Sequence, residues 1–269
     1  MNILILGDVV GPAGVKAVKD KLPKIIDEKK VDFVIVNGEN AADTGRGITK
    51  TIFEDFLKAG ADVITTGNHV WDHKDAEAIA SKDIKFLRPS NLPKDSPGKG
   101  EGIYKKKGKN FIVLNLMGNV FMKKCDDVFT EAKKFIEKFE LGNAKANFII
   151  VDMHGEITSE KMAMGHLFDG KATMVVGTHT HVPTSDYRIM EKGTAYQTDI
   201  GMCGDYNSVI GMNRENSLKK FLKDSSAENH FPALGEATIS GLLVTADDDT
   251  GLANKVQPII LGGSLQERI

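Results

Sequence analysis

Short apolar runs recur along the chain at residues 3–6, 33–36, 63–65, 111–116, 148–151 and 174–176, and most of them end in glycine or polar residues. Their brevity and β-branched content predict buried strands rather than helices. Helical spacing fills several of the intervals. Thr49 caps a helix with Ile52, Phe53, Phe56 and Leu57 on one face and Gly60 at its end. Asp126 or Asp127 starts another, with Phe129, Ala132, Phe135, Ile136 and Phe139 inward and Gly142 as its stop. Residues 158–168 form a third, closed by Gly170, and residues 14–28 a first helix that Pro23 kinks or splits. Alternation of strand and helix over the first seventy residues predicts parallel strands joined by right-handed crossovers. The C-terminal third reads differently. Residues 188–200 and 241–260 predict strands with turns, the latter around Asp247-Asp248-Asp249-Thr250-Gly251, and hence a second, partly antiparallel sheet packed on the first. Residues 90–102, rich in Pro, Gly and Lys, read as a surface loop, and the Lys105-Lys106-Lys107 run as a solvated turn. With no internal repeat and no linker, residues 1–269 are expected to form a single domain.

Composition narrows the function classes. Thirty-five basic and 37 acidic residues give a formal net charge of -2, so no broad electrostatic grip on nucleic acid or membrane is expected. Two isolated cysteines, Cys125 and Cys203, make neither a disulfide framework nor a thiolate metal site and suit a reducing compartment. No apolar run approaches the ~20 residues of a membrane span, and the N-terminus lacks the pattern of a signal peptide. The expectation is a soluble, cytoplasmic protein.

The chemistry-bearing residues sit where the apolar runs stop. In chain order these ends are Gly7-Asp8, Asn37-Gly38-Glu39-Asn40, Gly67-Asn68-His69, Asp152-Met153-His154-Gly155-Glu156 and Gly177-Thr178-His179-Thr180-His181. In open α/β sheets ligands bind beyond the carboxyl ends of strands, so the five ends converge on one edge. Carboxylate, amide and imidazole donors suit Fe, Mn, Zn or similar ions. An extended His-x-His would point its rings to opposite faces; a bend there lets His179 and His181 reach two neighbouring ions, with Glu39 able to bridge both. Two ions ~3.5–4 Å apart clamp the attacking and leaving oxygens of a phosphate. A P-loop is absent from the sequence. Asp152 reads as orienting a neighbour, His73, His166 and His230 as solvated or structural, and Cys203 as no nucleophile.

These motifs resemble those of the calcineurin-like metallophosphoesterases, which show Asp-x-His, Gly-Asp, Gly-Asn-His, a lone His and Gly-His-x-His in that order. Two departures, Val10 in place of the usual first-motif histidine and Glu39 in place of the usual bridging aspartate, resemble the YmdB-like bacterial branch. Gly45-Arg46-Gly47-Ile48-Thr49, Gln197-Thr198-Asp199-Ile200-Gly201-Met202 and Ser208-Val209-Ile210-Gly211 extend the likeness over nearly the whole chain. The resemblance implies an α/β fold of four layers, an α/β/β/α sandwich. It implies one metal held by Asp8, Glu39, Asn40 and His181, and another held by Glu39, Asn68, His154 and His179. Asn40 makes up for the missing histidine, and His69 acts as general acid.

The implied function is a binuclear metal-dependent phosphodiesterase, with Fe or Mn favoured and Zn or Mg fitting as well. A metal-bridging hydroxide attacks a small phosphodiester substrate such as a 2',3'- or 3',5'-cyclic nucleotide. The alternatives are a phosphomonoesterase or nucleotidase with the same metal site, and a non-enzymatic metal- or nucleotide-responsive regulator. No membrane or nucleic-acid partner is expected, and a homo-oligomer is compatible with this reading. The loop from Cys203 to Asn216 is expected to border the pocket.

Overall fold

The computed structural model describes residues 1–268, and in it the buried apolar runs become the central strands of two stacked sheets. The first sheet holds β1 (Asn2–Leu6), β3 (Phe33–Asn37) and β4 (Val63–Thr65) in parallel. β12 (Ile239–Ala246) and β13 (Ala253–Leu261) extend it antiparallel, in the order β13-β12-β1-β3-β4. The second runs β5-β6-β7-β8-β10-β9. Its strands are β5 (Glu101–Lys106), β6 (Lys109–Met117), β7 (Phe148–His154), β8 (Met174–Thr178), β9 (Arg188–Ile189) and β10 (Ala195–Gln197). A short parallel ribbon of β2 (Asp8–Val9) and β11 (Met202–Cys203) lies beyond the end of β1. The helices are α1 (Gly11–Glu28), α2 (Lys50–Lys58), α3 (Ala76–Lys82), α4 (Val128–Lys138), α5 (Thr158–Phe168) and α6 (Arg214–Phe221). No helix among the described residues is long and apolar enough to cross a membrane.

Period-two alternation within the strands produces the layers. Leu4, Leu6, Val34 and Val36 face a core shared with α1, α2 and α3, while Ile3, Ile5, Phe33 and Ile35 face the other sheet. In the second sheet Phe111, Val113, Phe148 and Ile150 turn to that inter-sheet core, and Ile112, Leu114, Ile149 and Val151 turn to α4 and α5. Three apolar cores thus separate four layers, the expected α/β/β/α sandwich. The inter-sheet core contains an aromatic stack: Phe111 lies 4.3 Å from Phe33 and 4.9 Å from Phe148, centroid to centroid.

Several local expectations hold. Thr49 Oγ1 accepts from Ile52 N at 3.1 Å, and Asp127 Oδ1 from Thr130 N at 2.7 Å, so both helices start where their caps predict. Others are corrected. Helix α1 begins at Gly11 and runs through Pro23 without a break; Pro23 is exposed, where water can serve the freed carbonyl. The C-terminal β12 and β13 join the first sheet rather than forming a second, because they cover the open edge of β1. Lys105 and Lys106 end strand β5, and the turn is Lys107-Gly108, both with positive φ (49° and 77°). The α4 helix stops at Lys138, short of Gly142.

Phe111→Ala is expected to lower stability by about 3–5 kcal/mol, since it empties the middle of the buried stack. Chemical denaturation checks this; a loss below about 1 kcal/mol would mean that the two sheets repack around the gap.

Candidate active site

Parallel pairing in both sheets brings the five strand ends to one edge, where the sheets meet. Asp8 follows β1 through Gly7, at which a Cβ would stand 1.9 Å from the Gly201 carbonyl oxygen, so only glycine passes. Asp8 is 0% exposed and Glu39 1%. His179 N donates to Asp8 Oδ2 at 3.0 Å; Gly67 N and His69 N donate to the two oxygens of Glu39, each at 2.5 Å. A Cβ at Gly67 would lie 2.1 Å from the His154 ring, which explains glycine ahead of Asn68-His69. His179 and His181 both adopt positive φ, 94° and 64°, and this is the bend that lets a His-x-His pair turn toward one region.

Each histidine is tied outward by one ring nitrogen. His154 Nδ1 meets Thr178 Oγ1 at 3.0 Å, and that hydroxyl donates onward to Asp152 Oδ1 at 2.7 Å. His179 Nε2 meets Glu156 Oε2 at 3.0 Å, and His181 Nδ1 meets the Ile210 carbonyl at 2.8 Å. These partners accept, so the outward nitrogens carry the protons and the inward ones keep lone pairs. His154 Nε2 then faces Asn68 Oδ1 at 2.9 Å and His179 Nδ1 at 3.1 Å, acceptor against acceptor. His154 Nε2 also lies 3.5 Å from Glu39 Oε1, and His181 Nε2 lies 3.9 Å from Asp8 Oδ1. Asn40 Nδ2 donates to the Gly45 carbonyl at 2.9 Å, leaving its buried Oδ1, like Asp8 Oδ1, without a hydrogen-bond partner.

Facing lone pairs and orphaned buried oxygens are what a cation satisfies, and the imidazole, amide and carboxylate donors suit transition metals. Among the described residues no three His, Cys, Asp or Glu side chains alone make a metal-sized group. The rings lean on one another, with His154 and His179 centroids 4.8 Å apart. Donor chemistry and tautomer, rather than preset spacing, are therefore the basis of the fit. Burial raises the Asp8 carboxyl above its usual range, with His181 opposing, and raises Glu39 well above it against two backbone hydrogen bonds. Burial likewise lowers His154 far below the ordinary imidazole range and His179 to about 4. Neutral imidazole is the ligating form.

His69 stands apart. Its Nδ1 contacts Asp72 Oδ2 at 2.6 Å, and Asp72 in turn pairs with Lys123 at 3.0 Å. Burial lowers the His69 pKa while Asp72 opposes the shift. His69 lines a cavity of about 440 Å³ together with Asn40, Arg46, His179, His181 and Ile210. A larger cavity of about 710 Å³, around Arg88, Lys99 and Lys134, contains none of these residues. Val209 and Ile210 bring the loop after Cys203 to the cavity wall as expected.

All eight residues singled out from the sequence, Asp8, Glu39, Asn40, Asn68, His69, His154, His179 and His181, lie in or beside this cluster. Sequence reasoning missed Asp72 and Glu156. Spacing could have pointed to both, since Asp72 is three residues after His69 and Glu156 two after His154. It also missed the buried pair of Lys161 Nζ and Asp199 Oδ2 at 2.8 Å. Asp199 accepts from Thr180 N and Oγ1, at 3.1 and 2.6 Å, and so anchors the middle of the His-x-His segment. Nothing local in the sequence marks that pair. Cys203 is buried, its thiol pushed up to about 12, and is no nucleophile.

Known proteins share this architecture. A 2',3'-cyclic-nucleotide 2'-phosphodiesterase of Bacillus subtilis (strain 168) is 43% identical over 261 residues, covering 97% of each chain. A crystal structure described as a novel phosphatase of Mycoplasma pneumoniae matches with a TM-score of 0.89 at 35% identity, covering 97% of this chain and 93% of that one. A 5'-nucleotidase precursor of Thermus thermophilus shares the fold alone, with a TM-score of 0.53 at 13% identity over 97% of this chain and 54% of that one. The family model described as YmdB-like protein matches residues 4–259, a span that holds every strand end of the cluster. With its four layers, its Glu39 and its Val10 in place, the chain belongs to the YmdB-like family of metallophosphoesterases.

Proposed function

We propose that the chain is a binuclear metal-dependent phosphodiesterase that opens cyclic nucleotides at the strand-end cluster, in the cytoplasm. Family membership makes the chain a hydrolase of phosphoric esters; the proposal adds substrate, ligand set and proton donor. The carrying observation is the set of inward lone pairs on His154 and His179 facing each other and Asn68, beside the orphaned oxygens of Asp8 and Asn40. Asp8, Glu39, Asn40 and His181 would hold one ion, and Glu39, Asn68, His154 and His179 the other. Mixed oxygen and nitrogen donors suit Fe or Mn, and Zn as well. When bound, such ions supply a nucleophile at neutral pH and offset charge on phosphoryl oxygens. The free cysteines Cys125 and Cys203 suit a reducing compartment.

The protein's own groups do the rest. Asp72 accepts from Nδ1, fixes the ring of His69 and favours its imidazolium form, in which Nε2 also carries a proton toward the cavity. As the phosphorus–oxygen bond to the leaving alkoxide breaks, His69 gives that oxygen its proton, a role typically worth ~10²–10⁴-fold. Thr178, Glu156 and the Ile210 carbonyl keep the three ligating rings from rotating.

Initial rates on 2',3'- and 3',5'-cyclic nucleotides, linear dinucleotides and monoesters, with Mn or Fe supplied under reducing conditions, test the reading. Cyclic diesters are expected to turn over fastest. Chelation should remove the activity and readdition restore it. Preference for monoesters would make the chain a phosphomonoesterase instead, and ligand binding without turnover in the metallated protein would make it a regulator.

His69→Gln is expected to lower kcat by about 10²–10⁴-fold at unchanged metal content, because a donor is lost and no ligand is touched. Elemental analysis beside the pH–rate profile decides; wild-type rates across the pH range would remove His69 from the chemistry.

Asn40→Ala is expected to weaken the ion at Asp8 and His181 by more than about tenfold, the lower end of the effect of deleting even an outer partner. The ion at His154 and His179 should stay, and excess metal should recover part of the activity. Anomalous scattering from the variant reads both positions, and full occupancy at both would reduce Asn40 to a brace for Gly45.

A further inference from the structure

The cavity beside the cluster has a second half that the hydrolytic chemistry does not use. Helix α6 and the loop before it supply this half through Ser217, Phe221, Ile210 and Met212, and Arg46 lines the same cavity. At about 440 Å³ the whole cavity falls within the ~300–1,000 Å³ usual for small-molecule sites. That suits a mononucleotide better than a polymer.

Three features of this wall call for a ligand. Ser217 is 1% exposed, yet its Oγ has no hydrogen-bond partner, although a helical serine usually satisfies its hydroxyl on the preceding turn. Phe221, at the last position of α6, leaves 78% of its surface to solvent at the cavity wall. Ile210 is β-branched yet has a φ of 47°, and its side chain stays 54% exposed. Its backbone is held there by the reciprocal Val209–Met212 hydrogen bonds, both 3.0 Å, and by the His181 contact at 2.8 Å. The segment that orients a proposed metal ligand therefore also holds an apolar side chain toward the cavity.

Arg46 completes the set. It sits between Gly45 and Gly47, both at positive φ, 76° and 73°. The loop is tied to the cluster by the Asn40 bond to Gly45 and by Gly47 N donating to the Glu39 carbonyl at 2.8 Å. Side-chain space is closed on both sides: a Cβ at Gly45 would meet Met212 at 2.8 Å, and one at Gly47 would meet His73 N at 2.9 Å. The guanidinium has no carboxylate partner among the described residues, and its charge is felt at both His69 and His230. A guanidinium free of carboxylates beside a phosphoester site suits bidentate pairing with phosphoryl oxygens.

We propose that Phe221, Ser217 and Arg46 form the nucleoside-monophosphate subsite of this enzyme. The base stacks on Phe221 against Ile210 and Met212, Ser217 Oγ bonds its polar edge, and Arg46 pairs with a non-bridging phosphate oxygen. The identity of the ligand rests on the phosphodiesterase reading above.

Calorimetric titration of the manganese-loaded protein with adenosine 3'-monophosphate and with inorganic phosphate separates the parts. The wild type is expected to prefer the nucleotide by tenfold or more, in line with the ~1–3 kcal/mol of one base–aromatic stack. Phe221→Ala should remove most of that preference and Phe221→Tyr restore it. Arg46→Ala should weaken nucleotide and phosphate alike. Equal wild-type affinity for both ligands, or a preference that survives Phe221→Ala, overturns the subsite. Cyclic-nucleotide turnover is read in parallel. Turnover with an unchanged preference in Phe221→Ala sinks the subsite alone; a preference lost in Phe221→Ala without wild-type turnover supports the subsite and sinks the cyclic-diesterase reading.

Discussion

Two carboxylates buried without a full counter-charge govern the design of this molecule. Among the described residues, the only basic side chains within 4 Å of Asp8 or Glu39 are imidazoles. Taking an ion from water into a protein interior still costs several kcal/mol after relaxation. Backbone N–H groups of Gly67, His69 and His179 offset part of this, and they can approach only because glycines let the chain pass so closely. The remaining demand for positive charge is what the proposed pair of cations meets.

Compensation of another kind operates one layer away. Lys161 and Asp199, 1% and 0% exposed in their side chains, pair with each other within the fold. Removing one partner of such a pair commonly costs ~3–5 kcal/mol, because the other is left charged and buried. Asp199 also grips Thr180, so a structural ion pair sets the backbone between His179 and His181. Asp152 does similar work under His154. It accepts from Thr65, Thr178 and Asn37, and burial pushes its carboxyl up to about 7.

Much of this was legible in the chain because the information is local. A strand buried on both faces reads as an apolar run, and the residue after it reads as a ligand candidate, so Asp8, Glu39, Asn68, His154 and His179 stood out. The helix caps at Thr49 and Asp127 were legible for the same reason. What stayed hidden depends on distance along the chain. That β12 pairs with β1 rather than with a second sheet is decided by a free edge some 240 residues away. Asp199 touching Thr180 and Ile210 touching His181 depend on how loops return, which no periodicity records. Edge strand β5 was missed because its alternation is interrupted by lysines, Lys106 pairing with Asp62 at 2.6 Å. Helices α3 and α6 are short, at 7 and 8 residues, and carry little apolar signal of their own.

The donors divide between the two sheets: Asp8, Glu39 and Asn68 come from ends of the first, His154, His179 and His181 from ends of the second. Neither half can form the centre by itself. The contacts joining them, such as His179 N to Asp8 across 171 residues and Thr65 to Asp152 across 87, close long loops of the folding chain. Loop closure of that kind comes late and is slow. A nascent chain that ends before His179 therefore lacks two of the proposed donors, His179 and His181, and a ligand that needs both sheets selects fully docked molecules over half-folded ones. Any cation held there stabilises the inter-sheet junction by mass action, so this fold's assembly and its cofactor supply are coupled quantities.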